Sequence, residues 1–350
     1  MSKKKIAVLH SQVPFVRGGA ESHVENLTRH LREHGYTTEL VSIPFKWYPH
    51  SALLDSYFLW RSTDLTESNG ETIDLVIALK VPTFMLPHPN KITWVMHQFR
   101  QAYDLRDNQS AGGLNYLPGG KKMIEKITAL DKLGIGESRT VFANSCNVAN
   151  RLKTYNDIDA TPLYHPPALA GRYEMGDFGD YILSVGRLDK NKRIDLLIRA
   201  LAHCDSHIRV KIAGRGPEME PLQALAAKLH VEDRVDFLGF VPDEDVIKLY
   251  AGALGVCFPP IDEDYGYITL EAFLSGKPIL TCHDAGGVLE FARDGENGFI
   301  TDFDARQMGA CYDKLYQNKR LAHDMGQAGY ERVKDISWDN VIDALTQTIR

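Results

Sequence analysis

The chain reads as an α/β protein made of two consecutive doubly wound, Rossmann-like domains. Three observations predict this. Short β-branched, apolar runs alternate with helical periodicity along the whole sequence. Its 350 residues exceed what one ordinary core holds and suit two domains of roughly 150 to 180 residues each. Periodicity fails at Tyr164-His165-Pro166-Pro167-Ala168-Leu169-Ala170-Gly171-Arg172, because consecutive prolines continue neither a helix nor a central strand. The seam is expected at residue 172, giving domains at 1–172 and 173–337.

The first half supplies the strands Ile6-Ala7-Val8-Leu9, Leu40-Val41-Ser42-Ile43, Leu75-Val76-Ile77-Ala78, Ile92-Thr93-Trp94-Val95-Met96 and Thr140-Val141-Phe142-Ala143. Their near-continuous apolar character fits strands buried on both faces, as in a parallel sheet. Between the first two, Ala20, Val24, Leu27 and Leu31 recur at helical spacing, and Gly35 follows as a C-terminal cap. That is a βαβ unit. The second half repeats the theme with Tyr181-Ile182-Leu183-Ser184-Val185, Val210-Lys211-Ile212-Ala213, Val235-Asp236-Phe237-Leu238, Gly255-Val256-Cys257-Phe258 and Pro278-Ile279-Leu280-Thr281.

Composition narrows the function. A formal net charge of −6 provides no general attraction for nucleic acid. The 44% hydrophobic and 25% charged content is that of a globular enzyme. Five cysteines, an odd number without Cys-x-x-Cys spacing, point to a reduced, cytoplasmic protein. Met1-Ser2-Lys3-Lys4-Lys5 resembles a leader start, but the apolar run Ile6 to Leu9 is too short for one. No stretch approaches the length of a membrane span.

In open α/β sheets ligands bind beyond the carboxyl ends of the strands, so two such domains facing one another would create a cleft lined by strand-end loops. Chemistry-bearing residues cluster in those loops. Gly18 and Gly19 open the first helix, where a backbone can approach a ligand and a helix start favours anions. His97 ends the fourth strand. Arg187 leaves the first strand of the second half and Lys192 follows in the same loop, a fork and a mobile point charge suited to a diphosphate. Gly214 and Gly216 form a tight turn before Pro217, and Phe240 and Val241 follow the next strand. Lastly, Glu263-Asp264-Tyr265-Gly266-Tyr267-Ile268-Thr269-Leu270-Glu271 is an acidic loop feeding a helix that Gly276 and Pro278 stop. The N–H groups of Tyr267, Ile268 and Thr269 would point outward, unpaired, toward a phosphate. Gly-x-Gly-x-x-Gly and P-loop patterns are missing, which removes the main support for dinucleotide and P-loop readings.

These motifs, in this order, resemble the retaining nucleotide-sugar glycosyltransferases of family 4: Gly-Gly loop, strand-end His, Gly-Arg-x4-Lys, Gly-x-Gly-Pro, Phe-x-Gly-Phe-Val and Glu-x7-Glu. The sequence departs from the family at Arg193, where glycine is common. The resemblance implies the GT-B fold, two facing Rossmann-like domains with an interdomain cleft, an acceptor-side first domain and a donor-binding second one. It also implies that a helix over 338–350, opening at Ser337-Trp338, returns to the first domain.

The implied reaction moves a hexose from GDP-mannose or a UDP-hexose to a hydroxyl acceptor with retention, in assembly of bacterial surface polysaccharide or glycolipid. Arg187, Lys192 and helix amides would stabilise the leaving diphosphate. Glu263 and His97 would hold the sugar, Glu271 the ribose, and Gly18, Gly19, Gly214, Gly216, Phe240 and Val241 the rest of the donor. Asp262-Glu263-Asp264 has the spacing of a divalent-cation motif, yet the available cations make a metal unnecessary, and no cofactor is expected. Two competing readings are a non-hydrolysing UDP-sugar 2-epimerase on the same fold and a catalytically silent sugar-binding protein. Phe45-Lys46-Trp47-Tyr48-Pro49-His50 and Tyr57-Phe58-Leu59-Trp60-Arg61 mix aromatic and basic residues as interfacial segments do, which nominates weak peripheral contact with the inner face of the plasma membrane.

Overall fold

A computed structural model of the chain describes residues 3–16, 18–109 and 112–349. Met1 and Ser2 of the leader-like start, Arg17 of the Gly-Gly loop, and Arg350 at the end of the expected last helix lie outside the described residues, as does the side chain of His50. The chain divides into two compact units, 1–168 with 337–350, and 169–336, so the division falls between Ala168 and Leu169 rather than at residue 172.

In the first unit the elements are β1 (Lys5–Gln12), α1 (Gly19–Glu33), β2 (Thr37–Pro44), α2 (His50–Ser62), a hairpin of β3 (Glu67–Ser68) and β4 (Glu71–Thr72), β5 (Leu75–Ala78), β6 (Lys91–Val95), α3 (Gly120–Gly136), β7 (Thr140–Ala143), α4 (Cys146–Asn156) and β8 (Thr161–Pro162). The strands form one parallel sheet in the order β2-β1-β5-β6-β7-β8. Side chains alternate across it with period two. Ile6, Val8, Leu75, Ile77, Ile92 and Trp94 enter one core, which Val24, Leu27 and Leu31 of α1 cover together with Trp338, Val341, Ile342 and Leu345 from the chain's end. Ala7, Leu9, Val76, Ala78 and Val95 enter the other, beneath α2, α3 and α4.

The second unit holds β9 (Tyr181–Val185), α5 (Ile194–Leu201), β10 (Arg209–Ala213), α6 (Met219–Lys228), β11 (Val235–Gly239), α7 (Asp243–Ala251), β12 (Gly255–Cys257), α8 (Tyr267–Leu274), β13 (Ile279–Cys282), β14 (Gly298–Thr301), α9 (Ala305–Gln317) and α10 (Lys319–Val333). Its parallel sheet runs β11-β10-β9-β12-β13-β14, the doubly wound dinucleotide-fold order. The last helix, α11 (Trp338–Thr346), belongs to the first unit and is capped by the Ser337 hydroxyl, which accepts from Asn340 N.

Strand ends shift by a residue from expectation for identifiable reasons. Pro278 has no N–H for a ladder and only accepts, from Val256 N at 2.9 Å, so β13 starts at Ile279. Met96 leaves β6 because its N–H turns to the Leu79 carbonyl at 2.9 Å.

In the first sheet the strand order reverses between β1 and β5, and in the second between β9 and β12. Ligands of open α/β sheets collect at such reversals, outside the carboxyl ends.

Candidate functional site

In the second unit the loops leaving β9 and β12 meet at the reversal. The β9 loop forms a short 3₁₀ turn over Lys190–Lys192, and Lys192 Nζ donates to Glu263 Oε2 at 2.5 Å. Neither side chain is more than a quarter exposed, at 20% and 23%. The Glu263 loop is pinned on both sides: Ile261 N donates to Asn191 O at 2.8 Å, and Glu263 N and O bond to Ala285 O and Gly287 N at 3.1 and 2.7 Å. Arg187 extends from the same β9 loop, 70% exposed, with Asp189 at 2.9 Å as its ion-pair partner.

Arg193, where the resemblance expects glycine, has φ 52° and ψ 40°, the left-handed conformation that glycine adopts without cost. The loop keeps that shape because Arg193 is clamped: its guanidinium donates twice to Asp284, at 2.7 and 2.5 Å, and lies 4.7 Å from the centre of the Phe303 ring.

Beside this lies a cavity of about 320 Å³ lined by Gly186, Arg187, Gly214, Arg215, Phe240, Val241 and Val246. Four of the expected donor residues therefore share one pocket. Phe240 is 69% exposed, with the Arg215 guanidinium 5.9 Å from its ring centre. Gly214 is required by backbone packing, since a Cβ there would lie 1.7 Å from Gly186 O. A Cβ on Gly216 would meet Leu188 O at 2.4 Å. The tight turn thus seats one strand-end loop on the next, and Gly216 lines no part of the described pocket.

Helix α8 starts behind Gly266, whose φ of 83° reverses the chain into the helix. Ile268 packs toward Gly186. The Thr269 N–H is not available as expected: it closes the first turn on Gly266 O at 3.0 Å. Glu271 is oriented by two phenols that sequence reasoning missed. The Tyr250 hydroxyl donates to Glu271 Oε2 at 2.6 Å, and the Tyr173 hydroxyl bonds the same carboxylate. Burial raises the pKa of Glu271, and the two phenols hold it partly down. Also missed were Gly286 and Gly287, which pair with the backbone of Glu263. A Gly-Gly pair in the loop leaving the β13 run was their signal.

In the first unit Gly19 begins α1, with Gly18 as its cap at φ −164°, an extended backbone that any residue adopts. Around this start lies a polar trio that spans the β1/β5 reversal. Lys80, two residues beyond β5, places Nζ 3.4 Å from Glu21 Oε1, and His10 Nε2 lies 3.7 Å from the same oxygen. Lys80 is 6% exposed and His10 2%. Burial alone would raise the Glu21 pKa; His10 and Lys80 overcome it and hold the carboxyl at about 2. A lysine two residues past a predicted strand was the overlooked signal.

His97 follows β6, half-buried, with Nδ1 3.1 Å from the Gln98 carbonyl. Its loop is anchored from below. Gln98 Nε2 donates to Asn156 Oδ1 at 2.6 Å, Asn156 Nδ2 to Tyr103 Oη at 3.3 Å, and the Tyr103 and Tyr57 hydroxyls to Asp131 at 2.6 and 2.7 Å. Asp131 is fully buried, which pushes its pKa up to about 6 against the pull of the two phenols. Of the segments proposed for membrane contact, Tyr57 and Trp60 face the core at 1% exposure each, leaving Phe58 and Leu59 outside at 70% and 51%. Among the described residues no helix is long and apolar enough to cross a membrane. Among them, too, no group of three His, Cys, Asp or Glu side chains could hold a metal ion.

Residues 177–332 match the family described as glycosyl transferases group 1. A D-inositol 3-phosphate glycosyltransferase of Nocardia farcinica is 29% identical over 244 residues, covering 62% of this chain and 54% of that protein. The chain spans about half or less of the curated relatives it matches. Among solved structures, a sucrose-phosphate synthase from Thermosynechococcus elongatus aligns with a TM-score of 0.74 at 17% identity over 99% of this chain and 98% of the other. Anabaena HepE, solved in complex with UDP and glucose, aligns with a TM-score of 0.69 at 17% identity, covering 99% of each chain. The two parallel sheets with their helices are those of GT-B glycosyltransferase structures.

Proposed function

We propose that the protein is a retaining glycosyltransferase that moves a hexose from a nucleoside-diphosphate sugar, a UDP-hexose or GDP-mannose, to a hydroxyl acceptor. The observation that carries the reading is the Lys192–Glu263 pair at the β9/β12 reversal, with Arg187 and the Phe240 pocket beside it. The match over 177–332 and the UDP-bound HepE neighbour support the same assignment.

The chemistry follows from the groups present. As the bond from anomeric carbon to phosphate oxygen stretches, negative charge grows on the diphosphate, where Lys192 and Arg187 stabilise it. An arriving phosphate competes with Glu263 for the Lys192 ammonium, and the released carboxylate then accepts from hydroxyls of the transferred sugar. The acceptor oxygen attacks from the side the phosphate leaves, and a phosphate oxygen takes its proton, so configuration is kept. Glu271, oriented by Tyr250 and Tyr173, accepts from the ribose. Phe240 and Val241 hold the base, Gly18 and Gly19 face diphosphate and acceptor, and His97 contacts the sugar. Lys192 and Arg187 supply the positive charge, so the reaction runs without a divalent metal.

The test is release of nucleoside diphosphate from UDP-glucose, UDP-galactose, UDP-N-acetylglucosamine and GDP-mannose in EDTA, with D-inositol 3-phosphate and methyl glycosides as acceptors. Turnover of one donor, with NMR showing an α-linked product from an α-linked donor, is expected. Inversion would remove the retaining mechanism, restoration only by Mn²⁺ the metal-free one, and epimerised donor without transfer the whole reading.

A further inference from the structure

We infer that the carboxyl edge of the first sheet carries an aromatic pocket that takes a sugar ring of the acceptor; this rests on the glycosyltransferase reading and names its acceptor class as a carbohydrate. The pocket forms where β1 and β2 end side by side. Phe45 N donates to Gln12 O at 2.7 Å, which extends the pairing past the last ladder partners, Gln12 and Pro44. Beyond that point Val13 and Pro14 from one strand and Phe45, Lys46, Trp47 and Tyr48 from the other line a pocket of about 440 Å³. That size lies low in the roughly 300–1,000 Å³ range of small-molecule sites and suits one or two rings.

Three rings wall it. Phe45 and Trp47 have centres 6.3 Å apart, Trp47 and Tyr48 meet edge to face at 5.3 Å, and Lys46 Nζ lies 5.0 Å from the Tyr48 ring centre. Trp47 and Tyr48 are 39% and 59% exposed, an unusual outlay of aromatic surface for a strand-end loop. Trp60, Trp94 and Trp338, by contrast, are all buried. An aromatic face is electron-rich, and the C–H bonds on one face of a pyranose are weakly positive, so ring stacks on ring while the sugar's hydroxyls stay turned to polar groups. Lys46 supplies a donor at the rim.

A second observation points the same way. Phe15, on the loop leaving β1, has φ 64° and is fully exposed. A bulky side chain avoids that region, and such strain concentrates at ligand sites. The ring-sized volume and the position on the strand-end edge favour a discrete sugar over a bilayer surface.

The experiment uses the full chain with methyl α-D-glucopyranoside and maltotriose as probes. Saturation-transfer NMR should show both sugars bound, and acrylamide quenching of the exposed tryptophan should fall saturably with sugar. Trp47→Ala should abolish the transfer signal and raise the KM of a carbohydrate acceptor about tenfold. Trp47→Phe, which keeps a stacking face, should restore most of both. Acceptor-independent donor hydrolysis should be unchanged in both variants. Three results overturn the proposal: sugar binding that survives Trp47→Ala, loss of donor hydrolysis in that variant, or a Trp47 response to phosphatidylglycerol vesicles with none to sugars. Sugar binding at Trp47 in a protein that turns over no nucleotide sugar would support the pocket and remove the transferase reading instead.

Discussion

Lys192 and Glu263, 71 positions apart, meet at 2.5 Å where the strand order of the second sheet reverses. Each neutralises the other before any ligand arrives, so the site holds two charges ready without leaving either uncompensated in a half-buried setting.

Replacing Glu263 by Ala should lower kcat by ~10² or more, because a positioning contact to the sugar is lost as the bond stretches. UDP or GDP should bind at least as tightly as before, since the Lys192 ammonium no longer has an internal competitor. Calorimetric titration checks this, and a large loss of nucleotide affinity would move Glu263 out of the sugar site.

Tyr250→Phe should raise the donor KM several-fold with little change in kcat. A ribose contact is shared by ground and transition states, and the Tyr250 hydroxyl is what orients Glu271 at 2.6 Å. Glu271→Gln should act in the same direction and more strongly. Steady-state kinetics showing a pure kcat defect in either variant would contradict the ribose role.

Arg193→Gly should keep the loop and the activity, because glycine takes the 52° φ freely while the Asp284 pair is given up. Arg193→Val should cost about 1–3 kcal/mol, since a β-branched residue cannot sit there without strain. Thermal unfolding of the two variants gives the comparison, and equal melting temperatures would refute the left-handed strain at this position.

The buried Asp131 predicts an unusual pH response. Its folded pKa of about 6 lies above the ordinary value of 3.8, so between those values the folded protein holds a proton that the unfolded chain releases. This group's contribution therefore falls as pH rises from about 4 to 6 and is flat above. Glu21, held at about 2, behaves oppositely: its contribution is full above 4.5 and is lost as pH falls toward 2. The melting temperature of Asp131→Asn, relative to the unmodified protein, should rise between pH 4 and 6. A constant difference across that window would rule out the shift.

The central strands were legible because burial on both faces leaves an unbroken apolar run, as in Leu75–Ala78 and Tyr181–Val185. The edge strands β8 and β14 were not. Thr161–Pro162 is two residues long, and Gly298–Thr301 begins with a glycine whose Cβ would lie 2.0 Å from Ile279 O, a demand set by the neighbouring strand alone. The site divides similarly. Arg187, Lys192 and Glu263 announce themselves through charge at strand ends, whereas Tyr173, Tyr250, Lys80 and His10 matter only for what they touch, 21 to 98 positions distant for the tyrosines around Glu271.

The helix Trp338–Thr346 closes the core that Ile6 and Val8 open, with the whole of 169–336 lying between them in sequence. On the ribosome the second unit is thus complete while the first still lacks a wall, and β1 waits for a helix made more than 300 residues later. A chain released at residue 336 would present Val24, Leu27 and Trp94 to solvent beside a finished neighbour, making early termination a route to aggregation rather than to a smaller working protein.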